Sequence, residues 1–177
     1  MSIAFTGSHR VGKTTLAEEL ADNLPNYDFK NEPYLQLEET GYLFSEIPTL
    51  DDYVEQFNYS VKQIKDSGND VIFDRCPLDI LAYIFAISKI KNIQTLYDEM
   101  TNAMSQIDLL IFVTIETPDL IICQESDLPN LRYEVNDILQ NWIGDLSIEI
   151  LEVYGPLENR KKQILNKIYS KTEKRKT

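Results

Sequence analysis

The sequence predicts an α/β fold in which helices cover both faces of a five-stranded parallel sheet. Short apolar segments typical of strands alternate with longer amphipathic segments typical of helices along the 177 residues. The segment 109–115 is almost uniformly apolar, as strands buried on both faces are. This alternation indicates parallel strands joined by crossover helices, and a chain of this length is expected to form one domain.

The elements follow one another without repeats or linkers. The expected strands are 3–6, 27–31, 71–73, 109–115 and 148–153. The expected helices are 13–24, 34–44, 50–65, 77–90, 93–105, 131–143 and 157–169. Pro25 should end the first helix, and Pro77 suits the first turn of the fourth. We expect a single domain over residues 1–170, followed by a basic, frayed tail at 171–177.

Residues 7–14, GSHRVGKT, match the phosphate-binding pattern G-x-x-x-x-G-K-[ST] between an apolar strand and an amphipathic helix. The glycines permit tight turns whose N–H groups face an anion, and the helix start adds its positive dipole end. Lys13 is expected to reach the β and γ phosphates, and Thr14 to ligate Mg²⁺. The predicted nucleotide-binding residues are Gly7, Ser8, His9, Arg10, Val11, Gly12, Lys13, Thr14 and Thr15.

This phosphate-binding loop, or P-loop, indicates the three-layer P-loop NTPase fold, with five parallel strands in the order 2-3-1-4-5 and helices on both faces. No guanine-reading N-K-x-D segment occurs, because Asn166-Lys167 is followed by Ile168 and Tyr169. ATP is therefore the expected nucleotide, with Mg²⁺ as its metal.

Two carboxylates follow predicted strands, at the edge of the sheet where ligands bind. Asp74 follows the segment 71–73 as the acid of a Walker B segment does, and is expected to hold Mg²⁺ together with Thr14. Glu32 follows the second strand and can accept a proton from a substrate hydroxyl. Each has a structural alternative: Asp74 as a helix cap before Pro77, and Glu32 as a solvent-facing acid at a helix start. For Glu32 the residue type alone does not decide.

Phosphoryl transfer needs cations around the transferred group, and few are available. The lysines and arginines before residue 160 are Arg10, Lys13, Lys30, Lys62, Lys65, Arg75, Lys89, Lys91 and Arg132. The four lysines after Lys30 are expected on or near helix ends, where they promote solubility. Arg10 lies in the P-loop and Arg75 follows the Walker B-like acid, whereas Arg132 follows a long segment, 117–131, that is a candidate lid. Arg132 is either a lid arginine or a surface arginine on an amphipathic helix.

The formal net charge of −12 is unevenly distributed. Residues 1–159 carry nine basic and 28 acidic residues, a balance of −19, which argues against binding along a nucleic-acid duplex. The N-terminus lacks a secretory signal and no apolar run approaches ~20 residues, so a cytoplasmic protein without a membrane partner is expected. Cys76 and Cys123 are expected to be reduced thiols, and a single histidine, His9, argues against a zinc or Ser/His site.

Five segments together resemble small P-loop kinases of the nucleoside and nucleotide kinase group, in particular the AAA-type ATP-binding domain that includes ribosylnicotinamide kinases. They are FTGSHRVGKTTLAEEL, NEPYLQLEETGYLF, IFDRCPLDILAYIFA, DLPNLRYEVNDIL and EVYGPLENRKKQI. The resemblance implies a base or hydroxyl binder at Glu32, Mg²⁺ beside Asp74, substrate or phosphate contacts from Arg75 and a lid arginine at Arg132. It also implies that Gly155 and Pro156 line the adenine. The lid has fewer arginines than in deoxynucleoside kinases, and Arg10 is expected to compensate for this.

The leading hypothesis is a kinase that moves the γ-phosphate of ATP to a hydroxyl or phosphate of a small nucleoside-like acceptor. Aromatic side chains that either border the acceptor or fill the core are Tyr34, Tyr42, Phe44, Tyr53, Phe57, Tyr59 and Tyr83. An ATP-binding regulatory module without small-molecule kinase activity is the alternative. A kinase that acts on nucleic acid is a third hypothesis, which the negative charge of residues 1–159 disfavours. The acceptor and the oligomeric state, including a homodimer, stay open.

Overall fold

The computed structural model describes residues 1–88, 92–119, 121 and 123–174. The strands are β1 (Ser2–Thr6), β2 (Asp28–Lys30), β3 (Val71–Phe73), β4 (Leu109–Phe112) and β5 (Ile150–Glu152). They form one sheet in the order β2-β3-β1-β4-β5, and every neighbouring pair is parallel. The predicted fold class and strand order are confirmed.

Helices cover both faces of this sheet. They are α1 (Lys13–Asn23), α2 (Pro33–Glu39), α3 (Leu50–Asp66), α4 (Pro77–Ser88), α5 (Gln94–Met104), α6 (Pro129–Trp142) and α7 (Leu157–Lys174). The first and last helices pack against each other on one face, and α3 to α6 form the layer on the other. Single 3₁₀ turns span Glu125–Asp127 and Ile143–Asp145.

The central strand β1 is buried at every position, which explains its lack of polar alternation. Ile3 and Phe5 contribute to the core beneath α1 and α7, whereas Ala4 contributes to the core on the opposite face. Successive side chains of a strand point to opposite faces, so two apolar cores require consecutive apolar residues, here Ile3, Ala4 and Phe5. The same pattern holds in β4, where Leu109 and Leu110 belong to different cores.

Several predicted bounds differ from the observed ones. The helix predicted over 34–44 ends at Glu39, because the chain turns back on itself there and Gly41 adopts a left-handed φ of 93°. The strand predicted over 109–115 ends at Phe112, and the Ile115 N–H is bonded by the Asn136 side chain instead of a neighbouring strand. The helix α3 starts at a capping box in which Thr49 and Asp52 bond to each other's backbone N–H.

The ends of α4 and α7 are the two helix ends that the sequence places next to basic residues. Helix α4 is described as far as Ser88, and the predicted surface residues Lys89 and Lys91 lie outside the described residues. Helix α7 continues through Lys174, well into the segment predicted to be a tail, and 175–177 lie outside the described residues. Among the helices described, none combines the length and apolar character needed to cross a membrane.

Candidate active site

The strand order arranges the predicted site along one edge of the sheet. Glu32 follows β2, Asp74 and Arg75 follow β3, and the P-loop follows the central strand β1. On the other side of the P-loop, the chain leaving β4 reaches Glu116 and the chain leaving β5 reaches Gly155. The carboxyl ends of parallel strands meet at one edge, so residues from five separate segments converge there.

The P-loop follows a tight path that its first glycine permits. Gly7 has a φ of 149°, and a Cβ atom added there would lie 2.2 Å from the carbonyl oxygen of Val113. No other residue fits this position without a backbone shift. The Lys13 ammonium donates to the Ser8 carbonyl at 2.7 Å, and burial lowers the pKa of Lys13. Lys13 therefore lies against the loop that the sequence motif predicts to bind phosphate.

Asp74 is buried without a partner. It is 1% exposed, and neither carboxylate oxygen has a hydrogen-bond partner among the described residues. Burial raises the pKa of Asp74 to about 6, and the nearby Glu32 adds to the shift, whereas Thr14 and Lys13 oppose it. A buried carboxylate without a partner is a costly arrangement that a bound cation relieves. Together with the Thr14 hydroxyl, this donor set fits Mg²⁺, which prefers oxygen ligands.

Arg75 is almost buried and has two acidic partners. Its Nε donates to Oδ2 of Asp79 at 2.7 Å, and its Nη1 lies 3.7 Å from Oε2 of Glu32. The guanidinium also sits over the Tyr83 ring, 5.1 Å from its centroid. Asp79 is fully buried and was not identified from the sequence, although its position four residues after Arg75, in the first turn of α4, was a usable signal.

Arg132 is 1% exposed, so the interpretation of it as a surface arginine is wrong. Its Nε donates to the His9 carbonyl at 3.0 Å and its Nη2 to the Arg10 carbonyl at 3.2 Å. The same guanidinium forms a two-point ion pair with Asp119 of the candidate lid segment. Arg132 thus fastens the lid segment to the P-loop.

Arg10 and His9 make further contacts between the P-loop and the lid segment. The Arg10 guanidinium, more than half exposed, lies 3.0 Å from Oδ1 of Asp127. The His9 ring bonds through Nε2 to the Asp127 carbonyl and through Nδ1 to the Tyr83 hydroxyl. Burial lowers the pKa of His9. The sequence placed both residues in the P-loop but gave no sign of these partners.

A cavity of about 380 Å³ opens on the other side of the P-loop. Residues that line it include Val11, Gly12, Thr15, Gly155, Pro156 and Arg160. The Arg160 guanidinium donates to the carbonyls of Gly155 at 2.7 Å and Val11 at 2.9 Å, and to Glu116 at 2.9 Å. The sequence counted Arg160 with the basic C-terminal segment; its position five residues after Gly155 was the signal that could have identified it.

Six of the seven predicted aromatic residues divide into two groups, and the seventh, Tyr59, is half-buried on α3 and lines a separate surface depression. Tyr53, Phe57 and Tyr83 are buried in the core, where the rings of Tyr53 and Tyr83 stack at 5.1 Å. Tyr34, Tyr42 and Phe44 are half-buried after β2, where Phe44 contacts both tyrosine rings at centroid distances of 4.3 Å and 4.6 Å. Only the second group leaves ring surface open for a ligand.

Comparisons with known proteins agree with this architecture. The profile of the AAA domain family matches residues 2–160. The chain matches no curated protein at a significant level.

Solved structures with the same fold include small kinases. Deoxyadenosine kinase from M. mycoides with bound dATP is 19% identical, with a TM-score of 0.65 and coverage of 96% of this chain and 99% of that one. Shikimate kinase from Aquifex aeolicus is 18% identical, with a TM-score of 0.61 and coverage of 97% and 98%. Thymidylate kinase from Candida albicans is 20% identical, with a TM-score of 0.62 and coverage of 97% and 92%.

At these identities the likeness establishes the fold, which agrees with the resemblance predicted from the five sequence segments. The profile match covers most of the chain. The protein belongs to the AAA domain family and has the fold of the small P-loop kinases.

Proposed function

We propose that the protein is an ATP- and Mg²⁺-dependent kinase that transfers the γ-phosphate to a small, nucleoside-like acceptor. The observation that carries the proposal is the position of Glu32, Asp74 and Arg75 on one side of the P-loop, with the cavity at Gly155 on the other. The P-loop then separates a nucleotide side from an acceptor side, as transfer between two bound molecules requires.

Each residue takes a role that its surroundings favour. The nucleotide base occupies the cavity beside Gly155 and Pro156, with Arg160 holding its walls together. Lys13 stabilises the negative charge of the transferred phosphoryl group. Thr14 and Asp74 hold Mg²⁺, which when bound neutralises charge on the phosphates. Because Asp74 is buried beside Thr14, the partly exposed Glu32 is the better candidate for the base.

The structural neighbours support a small acceptor. Their names specify deoxyadenosine, shikimate and thymidylate as acceptors, and one of them was solved with bound dATP. All three are small molecules, although their chemistry differs. The open aromatic surface at Tyr34 and Phe44 suits a planar ring on the acceptor.

A regulatory nucleotide-binding module is the second candidate, and one observation favours it. Both arginines near the P-loop, Arg10 and Arg132, are paired with acids of the lid segment. Such arginines are not free to contact phosphates while the pairs persist. This candidate predicts slow ATP turnover that a protein partner stimulates and that small acceptors do not change.

The test is ATP consumption with Mg²⁺ against nucleosides, nucleotides, ribosylnicotinamide and oligonucleotides. A rate that depends on one class of small acceptor and is abolished by Lys13→Ala supports the kinase proposal. The control is Lys62→Ala, since Lys62 is exposed on α3 and its removal should leave the rate unchanged. Equal turnover in every reaction contradicts the kinase proposal and favours the regulatory module. Activity on oligonucleotides alone supports a nucleic-acid kinase.

A further inference from the structure

The acceptor side of the site is crowded with acids. Asp79 and Glu32 both pair with the Arg75 guanidinium, and Asp74 directly precedes Arg75 in the chain. In the proposed function Lys13 is committed to the phosphates of ATP and Asp74 to Mg²⁺. Arg75 is then the cation that faces the acceptor, and Glu32 and Asp79 are the acids beside it.

The positive charge of Arg75 is already compensated by neighbouring carboxylates. Asp79, fully buried, holds its Nε at 2.7 Å, and Glu32 approaches the other end of the guanidinium at 3.7 Å. The face of the guanidinium is covered by Tyr83. Phosphate recognition normally uses arginine forks or several cations whose charge is not already compensated. Arg75 lacks such free charge.

Other described cations on this half of the sheet are engaged elsewhere or point away. Lys30 pairs with Asp28 at 2.7 Å, and Lys65 lies 3.8 Å from Glu99. Lys30 and Lys62 line a separate surface depression that also contains Asp66 but not Glu32, Asp74 or Asp79. On the other side of the P-loop, Arg132 lines the cavity and is bound to P-loop carbonyls and Asp119.

We infer that the acceptor presents an uncharged hydroxyl to the γ-phosphate, and that nucleoside monophosphates are poor acceptors. The inference rests on the proposed kinase function and narrows its acceptor. A phosphate dianion beside Arg75 meets the carboxylates of Glu32 and Asp79, whose two negative charges outnumber the single positive charge of that arginine. A hydroxyl needs only a carboxylate to accept its proton and a donor to orient it, which Glu32 and Arg75 supply.

The chemical step is balanced with these groups. The acceptor oxygen forms a bond to the γ-phosphorus while the bond from that phosphorus to the β,γ-bridging oxygen breaks. The electron pair of the broken bond leaves with ADP. The hydroxyl proton passes to the Glu32 carboxylate and then to solvent.

The test compares nucleosides with their own 5′-monophosphates, using ATP and Mg²⁺ and identifying products by mass spectrometry. We expect kcat/KM to be at least about 100-fold higher for the hydroxyl form of the best acceptor. Equal or faster phosphorylation of the monophosphate overturns the inference and leaves the kinase proposal intact. Turnover without any preference for an acceptor, or no turnover, contradicts the kinase proposal and with it this inference.

A variant adds a readout that a loss of folding cannot mimic. Glu32→Gln should lower kcat with the hydroxyl acceptor by about 100-fold or more while tightening the binding of a monophosphate, because one repelling charge is removed. Monophosphate binding is measured by calorimetry in the presence of a non-hydrolysable ATP analogue. Glu39→Gln, an exposed acid on the helix that begins directly after Glu32, is the matched control and should change neither value. Unchanged or weaker monophosphate binding in Glu32→Gln contradicts the inference.

Discussion

The Tyr83 hydroxyl bonds to His9 at two points, 2.7 Å from the backbone nitrogen and 2.7 Å from Nδ1. Because the Asp127 carbonyl can only accept, His9 carries its proton on Nε2. The tyrosine hydroxyl therefore accepts from the His9 backbone N–H and donates to Nδ1. This neutral imidazole joins the P-loop to α4 on one side and to the lid segment on the other.

The first prediction concerns the protonation of His9. Burial, together with Lys13, Arg75 and Arg132 nearby, lowers its pKa below the usual 6.5. A second proton on the imidazole ring would occupy Nδ1, which could then no longer accept the hydrogen bond from the Tyr83 hydroxyl. The stability that the neutral ring contributes is thus complete above pH 6.5 and is lost as the pH falls through the lowered pKa.

Because His9 is the single histidine, its C2 proton resonance gives the titration directly. We expect a midpoint below 6.5, and a midpoint closer to 6.5 in Tyr83→Phe, which removes the hydroxyl but keeps the ring. The stability advantage of the wild type over His9→Gln, measured by urea unfolding, should be smaller at pH 5.5 than at pH 7.5, since the titration of Asp74 affects both proteins alike. A wild-type midpoint above 6.5 would refute the neutral bridge.

The second prediction is that removing the charge of Asp74 makes the protein more stable but eliminates its response to Mg²⁺. The raised pKa of about 6 means that ionisation of Asp74 opposes folding of the metal-free protein. The penalty is absent below about pH 4 and complete above about pH 6. Asp74→Asn should therefore raise the free energy of unfolding at pH 7 by about 1–3 kcal/mol and eliminate the response to Mg²⁺.

Chemical denaturation of both proteins at pH 7 and pH 4 measures this effect. The difference in stability between them should shrink at pH 4, where the wild-type carboxyl is protonated. With nucleotide already present, added Mg²⁺ should further stabilise the wild type but not the variant. A variant that is less stable at pH 7 and still responds to Mg²⁺ contradicts the assignment.

The third prediction concerns Arg160, which joins the P-loop to the chain after β5. Its guanidinium bonds to Val11, Gly155 and Glu116, and so holds together both walls of the cavity. Arg160→Ala should raise the Kd for ATP by about tenfold or more, because charge-assisted hydrogen bonds at the site are lost. Lys162→Ala, exposed on the same helix, is the control. Equal affinities for ATP in the two variants would show that Arg160 has no part in nucleotide binding.

The fourth prediction tests the path of the P-loop. At Gly7, an added Cβ meets the Val113 carbonyl oxygen at 2.2 Å, and the φ of 149° disfavours any other residue. Gly7→Ala should destabilise the protein by about 3 kcal/mol or more, through steric overlap and backbone strain. Gly144→Ala is the matched control, since nothing lies within 4 Å of an added Cβ there. Thermal unfolding distinguishes the two variants, and equal unfolding midpoints would contradict the backbone conformation described for the P-loop at Gly7.

Much of the fold followed from local patterns. The P-loop motif, the five apolar strands and the helices between them each depend on residues near one another in the chain. The parallel orientation of the strands follows from the helical crossovers between them, and their order from the fold that the P-loop motif indicates. The errors occurred at ends, as in the helix predicted over 34–44, where a turn after Glu39 competes with helical spacing. Those errors did not change which strand carries which candidate residue.

The sequence by itself determined the P-loop, the strand order and the edge at which Glu32, Asp74 and Arg75 gather. Only the tertiary structure decided what surrounds each charge. Arg160 bonds to Val11, 149 residues away, and His9 bonds to Asp127, 118 residues away. Whether an arginine faces solvent, a phosphate or a buried acid depends on such distant partners. The spacing of residues within one element cannot predict these partners. Each partner belongs to another element, and the two come into contact only when the sheet and helices pack together.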